Sequence, residues 1–294
     1  MSDICLQMKK QYEELKRLRE EFDLIYGKMD KDNIDQAMEL KEEIKKIVKE
    51  LKEKIVPEIF RDLIKIEKIK LKEFFGYDID VPKIPKEITI ERLEKWQKQG
   101  LELHYLPDIN MTEDKDFPGW SKGKRPENLY QYIKNGKVDK DATNLPGKWV
   151  LIDVRAKPQY DDGNQMYDND ILGPVIKELR EKGLIYDCKQ KDSRAYISWD
   201  DLNKDEVKKA FAKVLDAKPE NIRLPRAIEW NVLGNLHHGD WGKTNTWEWF
   251  EDKHGSGNRL FGGLSDYGGL MCVDSDSSGF GSDDLGFRPL VCFS

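Results

Sequence analysis

The chain has 294 residues, 36% of them charged, and a net charge of −6 at neutral pH. That balance disfavours a general nucleic-acid-binding face, because surfaces that neutralise phosphates are basic. Cys5, Cys188, Cys272 and Cys292 show no C-x-x-C spacing, so neither a zinc site nor a disulfide framework is signalled.

Charge is unevenly spread: Lys and Glu crowd the first 75 residues, whereas seven of the eight Trp lie beyond residue 100. Leu15, Leu18, Phe22 and Ile25 recur at three- and four-residue steps, the stripe of one helix. A turn is expected around Gly27 and residues 30–32, then a second helix carrying Ile34, Met38, Ile44, Val48, Leu51 and Ile55. Pro57 kinks or restarts it, and Ile59, Leu63, Ile66 and Ile69 continue the pattern towards Phe75. Residues 1–75 therefore read as a helical hairpin or coiled-coil segment, able to self-associate through its seam.

Residues 76–144 read as a linker and irregular segment with one short helix at 90–100. From 145 the pattern changes. K-W-V-L-I-D-V-R predicts a buried strand, residues 169–182 a helix despite an internal Gly-Pro, and residues 203–215 an amphipathic helix with Asn203 as its cap. Short strands and Gly-rich loops follow. Helices first and strands last predict an α+β fold.

No apolar run approaches the roughly 18 residues of a membrane span, and residues 1–10 lack a signal-peptide core. The expectation is a protein without membrane insertion or an export signal of its own, cytoplasmic or recruited to a virion or surface by a partner.

Four segments of the C-terminal half then fall in a familiar order. R-L-P-R-A-I-E-W at 223–230 is similar to the R-L-P-T-E-x-E-W helix start of the formylglycine-generating-enzyme family, and N-T-W-E-W at 245–249 to its G-N-x-W-E-W. R-L-F-G-G at 259–263 matches its R-x-x-G-G, and L-G-F-R at 285–288 its terminal G-F-R. The resemblance covers residues 145–294 and implies a C-type lectin fold, two helices around small twisted antiparallel sheets. Trp247 and Trp249 alternate onto one strand face and are expected in the core. Gly262 and Gly263 permit close backbone approach. Gly286 and Phe287 belong to the final strand region, and Arg288 is expected to hold a loop carbonyl or carboxylate inside the fold.

That family's catalytic pair is two cysteines five positions apart that bind copper. Cys272 has no such neighbour here, so an oxidoreductase relative is the alternative rather than the main reading. The sugar-binding Glu-Pro-Asn, Gln-Pro-Asp and Trp-Asn-Asp tripeptides of calcium-dependent lectins do not occur. No cofactor is required by the sequence. The resemblance allows a structural calcium at Glu248, although Thr244-Asn245 departs from the family's Gly-Asn. The pattern around 264–282 resembles the variable proteins of diversity-generating retroelements, whose adenine codons are scattered by misreading reverse transcription. This resemblance implies a non-enzymatic, adhesion-type protein that binds a macromolecular ligand, a protein or cell-surface molecule. Its variable surface comprises Leu264, Ser265, Asp266, Tyr267, Cys272, Asp274, Ser275, Asp276, Ser277, Ser278 and Phe280. Short polar residues with Tyr, Phe and Gly also have the composition of antibody binding loops. Cys272 is expected at the rim of this surface and Cys292 in the core.

Other motifs carry less. Asp274-x-Asp276-x-Ser278-Gly279 opens like a calcium loop, but Leu285 occupies the twelfth position, where a bidentate Glu is needed. His237-His238 offers adjacent imidazoles in a loop with no third ligand evident nearby in sequence. A structural assembly protein, acting through its N-terminal helices, is the remaining alternative.

Overall fold

The computed structural model describes residues 14–24, 34–50, 56–122 and 125–293. These residues form a mixed α+β structure with ten α-helices and two four-stranded sheets. They divide into two units, Met1–Ile66 and Glu67–Ser294.

In the first unit, α1 (residues 14–24) buries Leu18 and half-buries Leu15 and Phe22, the expected stripe. In α2 (Ile34–Glu50) Leu40 is buried, with Ile44, Ile47 and Val48 half-buried on its side. Met38, assigned to the buried stripe from the sequence, is exposed. The turn at 27–32 and Ile25, Leu51 and Ile55 lie outside the described residues. Pro57 falls at the second position of α3 (Val56–Phe75), where its missing N–H costs nothing, so it starts this helix rather than kinking it.

The stripe of α3 is displaced from its sequence-based phase. Ile66 and Ile69 are half exposed, whereas Glu67, Leu71, Phe74 and Phe75 are buried. A carboxylate on the inward face misled the hydropathy pattern.

In the second unit, residues 76–144 are no linker. Thr89 Oγ1 caps α4 (Ile90–Lys98) by accepting the Arg92 N–H, and Trp96 on that helix is fully buried. β1 (Leu101–Leu106) then pairs antiparallel with β2 (Lys148–Asp153) along six residues. Two short helices, α5 (Pro118–Lys122) and α6 (Glu127–Lys134), complete this stretch. The prolines and charges that suggest a linker sit between these elements.

α7 spans Gly173–Glu181 rather than 169–182, because Pro174 sets its first turn and Asn169 has a positive φ of 50°. Asn203 closes α8 (Trp199–Leu202), and Lys204 precedes α9 (Asp205–Leu215) as its cap residue. β3 (Ile222–Arg223) leads to α10 (Ala227–Leu236), whose cap is Arg226. Pro225 therefore lies just outside the first turn.

The C-terminal strands are β4 (Trp247–His254), β5 (Asn258–Gly262), β6 (Val273–Ser277), β7 (Leu285–Gly286) and β8 (Leu290–Cys292). The first sheet runs β1-β2-β8-β3 and is antiparallel throughout. The second runs β6-β5-β4-β7, with only the β4–β7 pair parallel. The chain crosses from one sheet to the other between β7 and β8, where Arg288 lies. Among the described residues no helix is long and apolar enough to cross a membrane.

The first turn of α10 is held by acids. Glu229 accepts both Arg223 guanidinium nitrogens at 2.6 Å and the Arg226 N–H at 2.8 Å, which gives the R-L-P-x-x-x-E spacing a physical reason. Asp252 on β4 accepts the Ala227 N–H at 2.6 Å. Burial pushes the Asp252 carboxyl up to about 7, against the pull of that backbone donor and of Arg226. The folded chain thus holds a proton between about pH 4 and 7 that the unfolded chain has released, so stability from this residue falls as pH rises through that window. Asp252→Asn keeps an acceptor without the charge. It is expected to raise Tm at pH 8 by about 5 °C, from ~2 kcal/mol at ~2–4 °C per kcal/mol, and to give no gain at pH 4, both read by differential scanning calorimetry.

Candidate functional site

The expected variable segment begins where β5 ends. Gly262 and Gly263 are required there by space and by backbone. A Cβ on Gly262 would stand 2.2 Å from the Cys272 carbonyl oxygen, and Gly263 has φ +96°. The chain then makes a short turn at Ser265–Tyr267, held by the Ser265 N–H on Thr244 O and by the Asn231 Nδ2–H on Leu270 O. It returns as β6, paired to β5 from Ser277 opposite Asn258 to Val273 opposite Gly262.

Residues 273–277, expected as a loop, are therefore the edge strand of the second sheet. Asp274 and Ser277 on it are exposed, while Ser275, Asp276 and Ser278 are half-buried. Asp274 and Asp276 each fold back on the next residue's N–H, at 2.8 and 2.7 Å. Ser278 Oγ donates to Asp200 Oδ2 at 3.0 Å. An extended strand spreads the two carboxylates instead of curling them round an ion, which removes the calcium-loop resemblance. α6 stands along the outer edge, with Asn128 Nδ2 donating to Val273 O at 3.0 Å. Sequence gave no sign of that support, because it comes from the stretch read as irregular.

The aromatic positions are open. Tyr267 is 74% exposed and its ring centroid lies 6.0 Å from that of Trp247; Phe280, in the turn after β6, is 41% exposed. Asp266 is exposed and Ser265 half-buried. Two expected surface residues are not on the surface. Leu264 and Cys272 are buried and anchor the two ends of the 264–272 turn. Cys292, expected in the core, is only half-buried. Cys272 precedes β6 rather than alternating within it: it closes the short turn Gly269–Met271, with its N–H on the Gly269 carbonyl and its own carbonyl on the Gly263 N–H. Burial pushes the Cys272 thiol up to about 11, which makes it a poor thiolate. Among the described residues Cys188, Cys272 and Cys292 are all free thiols.

Beneath this surface is a closed network of charge. Glu248, the residue offered by sequence as a calcium ligand, is fully buried with both carboxylate oxygens occupied. Oε1 accepts from Tyr167 Oη at 2.5 Å and Arg288 Nη2 at 3.0 Å; Oε2 accepts from Trp230 Nε1 at 2.8 Å and Arg288 Nε at 3.2 Å. Four protein donors take the place that an ion would need. Burial alone would raise the Glu248 carboxyl, but Arg288, Lys157 and its hydrogen bonds hold it below the usual range. Arg288 also donates to the carbonyls of Asp153 and Arg155 and lies over the Trp241 ring, 4.1 Å from its centroid. Lys157 Nζ donates to the carbonyls of Thr246 and Gly263 at 2.5 and 2.8 Å, and burial pushes its ammonium down to about 8. Arg194 binds Asp153 and Asp170 and reaches Phe287 O.

The remaining scaffold residues divide. Trp249, Gly286 and Phe287 are buried, Phe287 stacked on Phe211 with centroids 5.5 Å apart. Trp247, expected in the core, is half-buried. It shares a face with Trp249 against Phe261, but at the strand's start, where Tyr267 covers it only in part.

A second cluster was visible in the sequence only as the pair His237-His238, without its other members. His237 and His238, at the end of α10, meet Glu67, Glu102 and His104, which are distant in the chain. Burial holds the His237 imidazole well below its usual range, with His104 and Lys70 adding to that, so it is neutral.

Neither a family model nor a curated protein sequence matches the chain. Among solved structures, the chain is similar to CarF at 14% identity and a TM-score of 0.38, over 66% of this chain and 99% of that one. It is also similar to PvdO from Pseudomonas aeruginosa at 10% identity and a TM-score of 0.37, over 66% of this chain and 94% of that one.

Glu248→Gln is expected to cost about 3–5 kcal/mol in urea unfolding, because it leaves the Arg288 charge buried and unpaired. Phe287→Ala should cost a similar ~3–5 kcal/mol, and Trp247→Ala clearly less than Phe287→Ala in the same assay.

Proposed function

We propose that the chain is a non-enzymatic ligand-binding protein of the C-type-lectin type, whose β6 edge and flanking turns form the binding surface. The observation that carries this reading is the separation of exposed chemistry from buried anchors. Tyr267, Phe280, Asp266, Asp274 and Ser277 are open to solvent, between Leu264, Cys272, Val273 and Leu285, which are buried. Exposed aromatics flanked by short polar side chains suit recognition of a macromolecule, since aromatics contribute most of the energy at such surfaces. Side chains in these positions touch little of the core, so their identity is free to vary. That freedom supports membership of the retroelement-diversified variable proteins, with residues 264–282 as the diversified segment. The high thiol pKa of Cys272 supports binding over cysteine chemistry.

Exposed Leu24, Met38, Ile66 and Ile69 favour a second role, self-association through the N-terminal helices. Sedimentation of the full chain distinguishes a dimer or larger assembly from a monomer.

Two measurements test the main reading. Replacing Tyr267, Asp274 and Asp276 together with Ala should leave Tm within about 4 °C of the parent, as surface changes do; a larger fall means that these residues are structural. The DNA beside the gene is expected to hold a near-copy of its 3′ end, differing mainly at adenines, next to a reverse transcriptase gene. Absence of both would sink diversification and leave only the binding surface.

A further inference from the structure

Three of the four histidines gather in the second unit. Glu102 and His104 alternate on β1 and therefore share one strand face. α3 delivers Glu67 to that face, and α10 ends there at His237. Glu67 Oε1 lies 3.0 Å from His104 Nδ1, and Glu67 Oε2 lies 3.8 Å from His237 Nε2. The side chains of Glu67 and His237 are each 2% exposed, and that of His104 6%. Despite this burial, His237 Nε2 has no hydrogen-bond partner. A sealed ring nitrogen left unused, facing a buried carboxylate, is unusual enough to need a cause.

We propose that Glu67, His104 and His237 bind a divalent transition-metal ion of the zinc class, through a Glu67 carboxylate oxygen, His104 Nδ1 and His237 Nε2. Two imidazoles and one carboxylate are borderline donors that suit zinc, whereas calcium and magnesium take oxygen ligands. Bonds of about 2.0–2.1 Å in a tetrahedron place neighbouring ligand atoms about 3.3 Å apart. The separations, 3.0 Å from Glu67 Oε1 to His104 Nδ1 and 3.8 Å from Glu67 Oε2 to His237 Nε2, lie either side of that value, so each histidine faces one oxygen of the shared carboxylate. One ligand atom from each of the three residues lies within 4.8 Å of the others.

The surroundings are those of a metal-ligating histidine. Both His104 ring nitrogens face carboxylates, Nδ1 at 3.0 Å from Glu67 Oε1 and Nε2 at 3.2 Å from Glu102 Oε2, so an ion takes the place of the Nδ1 proton while the Nε2 proton stays on Glu102. Such a carboxylate behind the ring fixes the tautomer and strengthens the ligand. The Tyr105 N–H donates to Glu67 Oε2 at 3.2 Å and orients that carboxylate. A second trio, Glu102, His104 and His238, shares His104 through its other nitrogen, and His238 Nε2 is likewise buried without a hydrogen-bond partner, but its carboxylate, Glu102, is 45% exposed whereas Glu67 is 2% exposed. Loading asks for two adjustments. Lys70 Nζ, 3.0 Å from His237 Nδ1, must release that nitrogen, and its half-buried position on α3 gives it a path outwards. The stacked rings of His104 and His237, at 29° to one another, must tilt so that both lone pairs meet.

The test uses the full chain, stripped with a chelator and then titrated with Co²⁺ and with Zn²⁺. One equivalent of Co²⁺ is expected to give a visible d–d band without a thiolate charge-transfer band, Zn²⁺ is expected to remove it, and Zn²⁺ should raise Tm. Glu102→Gln should weaken binding by roughly 10–100-fold, as loss of an outer carboxylate does, and His237→Ala should weaken it by more. His254→Ala, which changes the histidine beside Tyr132, should bind like the parent. No band and no Tm change in the parent chain would overturn the proposal, as would a thiolate band or undiminished binding by His237→Ala. The parent measurement needs no variant to fold.

Discussion

The buried ion pair between Glu248 and Arg288 is the constraint on which the second unit depends. Glu248 belongs to β4 of one sheet; Arg288 sits where the chain crosses to the other and also grips the Asp153 and Arg155 carbonyls at the end of β2. Taking both charges out of water is expensive, and the cost is offset only when every remaining lone pair and proton is satisfied. Tyr167 and Trp230 provide that satisfaction at the carboxylate. The pair thereby specifies one relative placement of the two sheets, since any slippage would strand a charge. Arg194, with Asp153 and Asp170, extends the same logic to the loops that precede α7 and α8.

This arrangement explains how rigid anchors and permissive positions coexist within a few residues. Lys157 pins the carbonyls of Thr246 and Gly263, Asn231 pins that of Leu270, and β5 pairs with β6 through its backbone. Every one of these contacts ends on main chain in or beside the 264–282 segment, so none depends on which side chain is present at Tyr267, Asp274 or Ser277. Side-chain identity at those positions is thereby separated from the contacts that hold the segment. The His104 cluster is a different kind of site. Its residues come from α3, β1 and α10, are buried, and are tied to one another, so change there is coupled to the packing of three elements.

Short motifs around turns were the legible part of the chain. R-L-P at 223–225 with Glu229, W-E-W at 247–249, G-G at 262–263 and G-F-R at 286–288 each proved to be a local device with a physical purpose. One positions an arginine on a helix acid, one brings a carboxylate under a strand, one admits a close carbonyl, and one places a guanidinium at the crossover. Arg288 was readable as an internal clamp because a lone arginine between Phe and Pro, before an apolar strand, has few other uses. Glu248 was readable as special but not as satisfied, because its partners Tyr167 and Trp230 come from elsewhere in the chain. The depth of Trp247 was not legible, since strand alternation says which residues share a face but not which face is covered, and the burial of Cys272 was not legible because it is set by a turn that packs back on Gly263.

The sequence by itself determined the amphipathic stripe of α1, Ile44 and Val48 of the α2 stripe, the α+β order, the glycine turn before residue 264 and the polar, aromatic composition of residues 264–282. These depend on neighbours within a few residues, where periodicity and backbone freedom act. Only the tertiary structure decided that residues 101–106 complete a sheet with β2, that 273–277 is an edge strand supported by α6, and that Glu67 and His104 stand beside His237. Each of those pairings joins segments far apart in the chain. Their free energy comes from burying complementary groups together, a quantity that no local stretch of sequence contains.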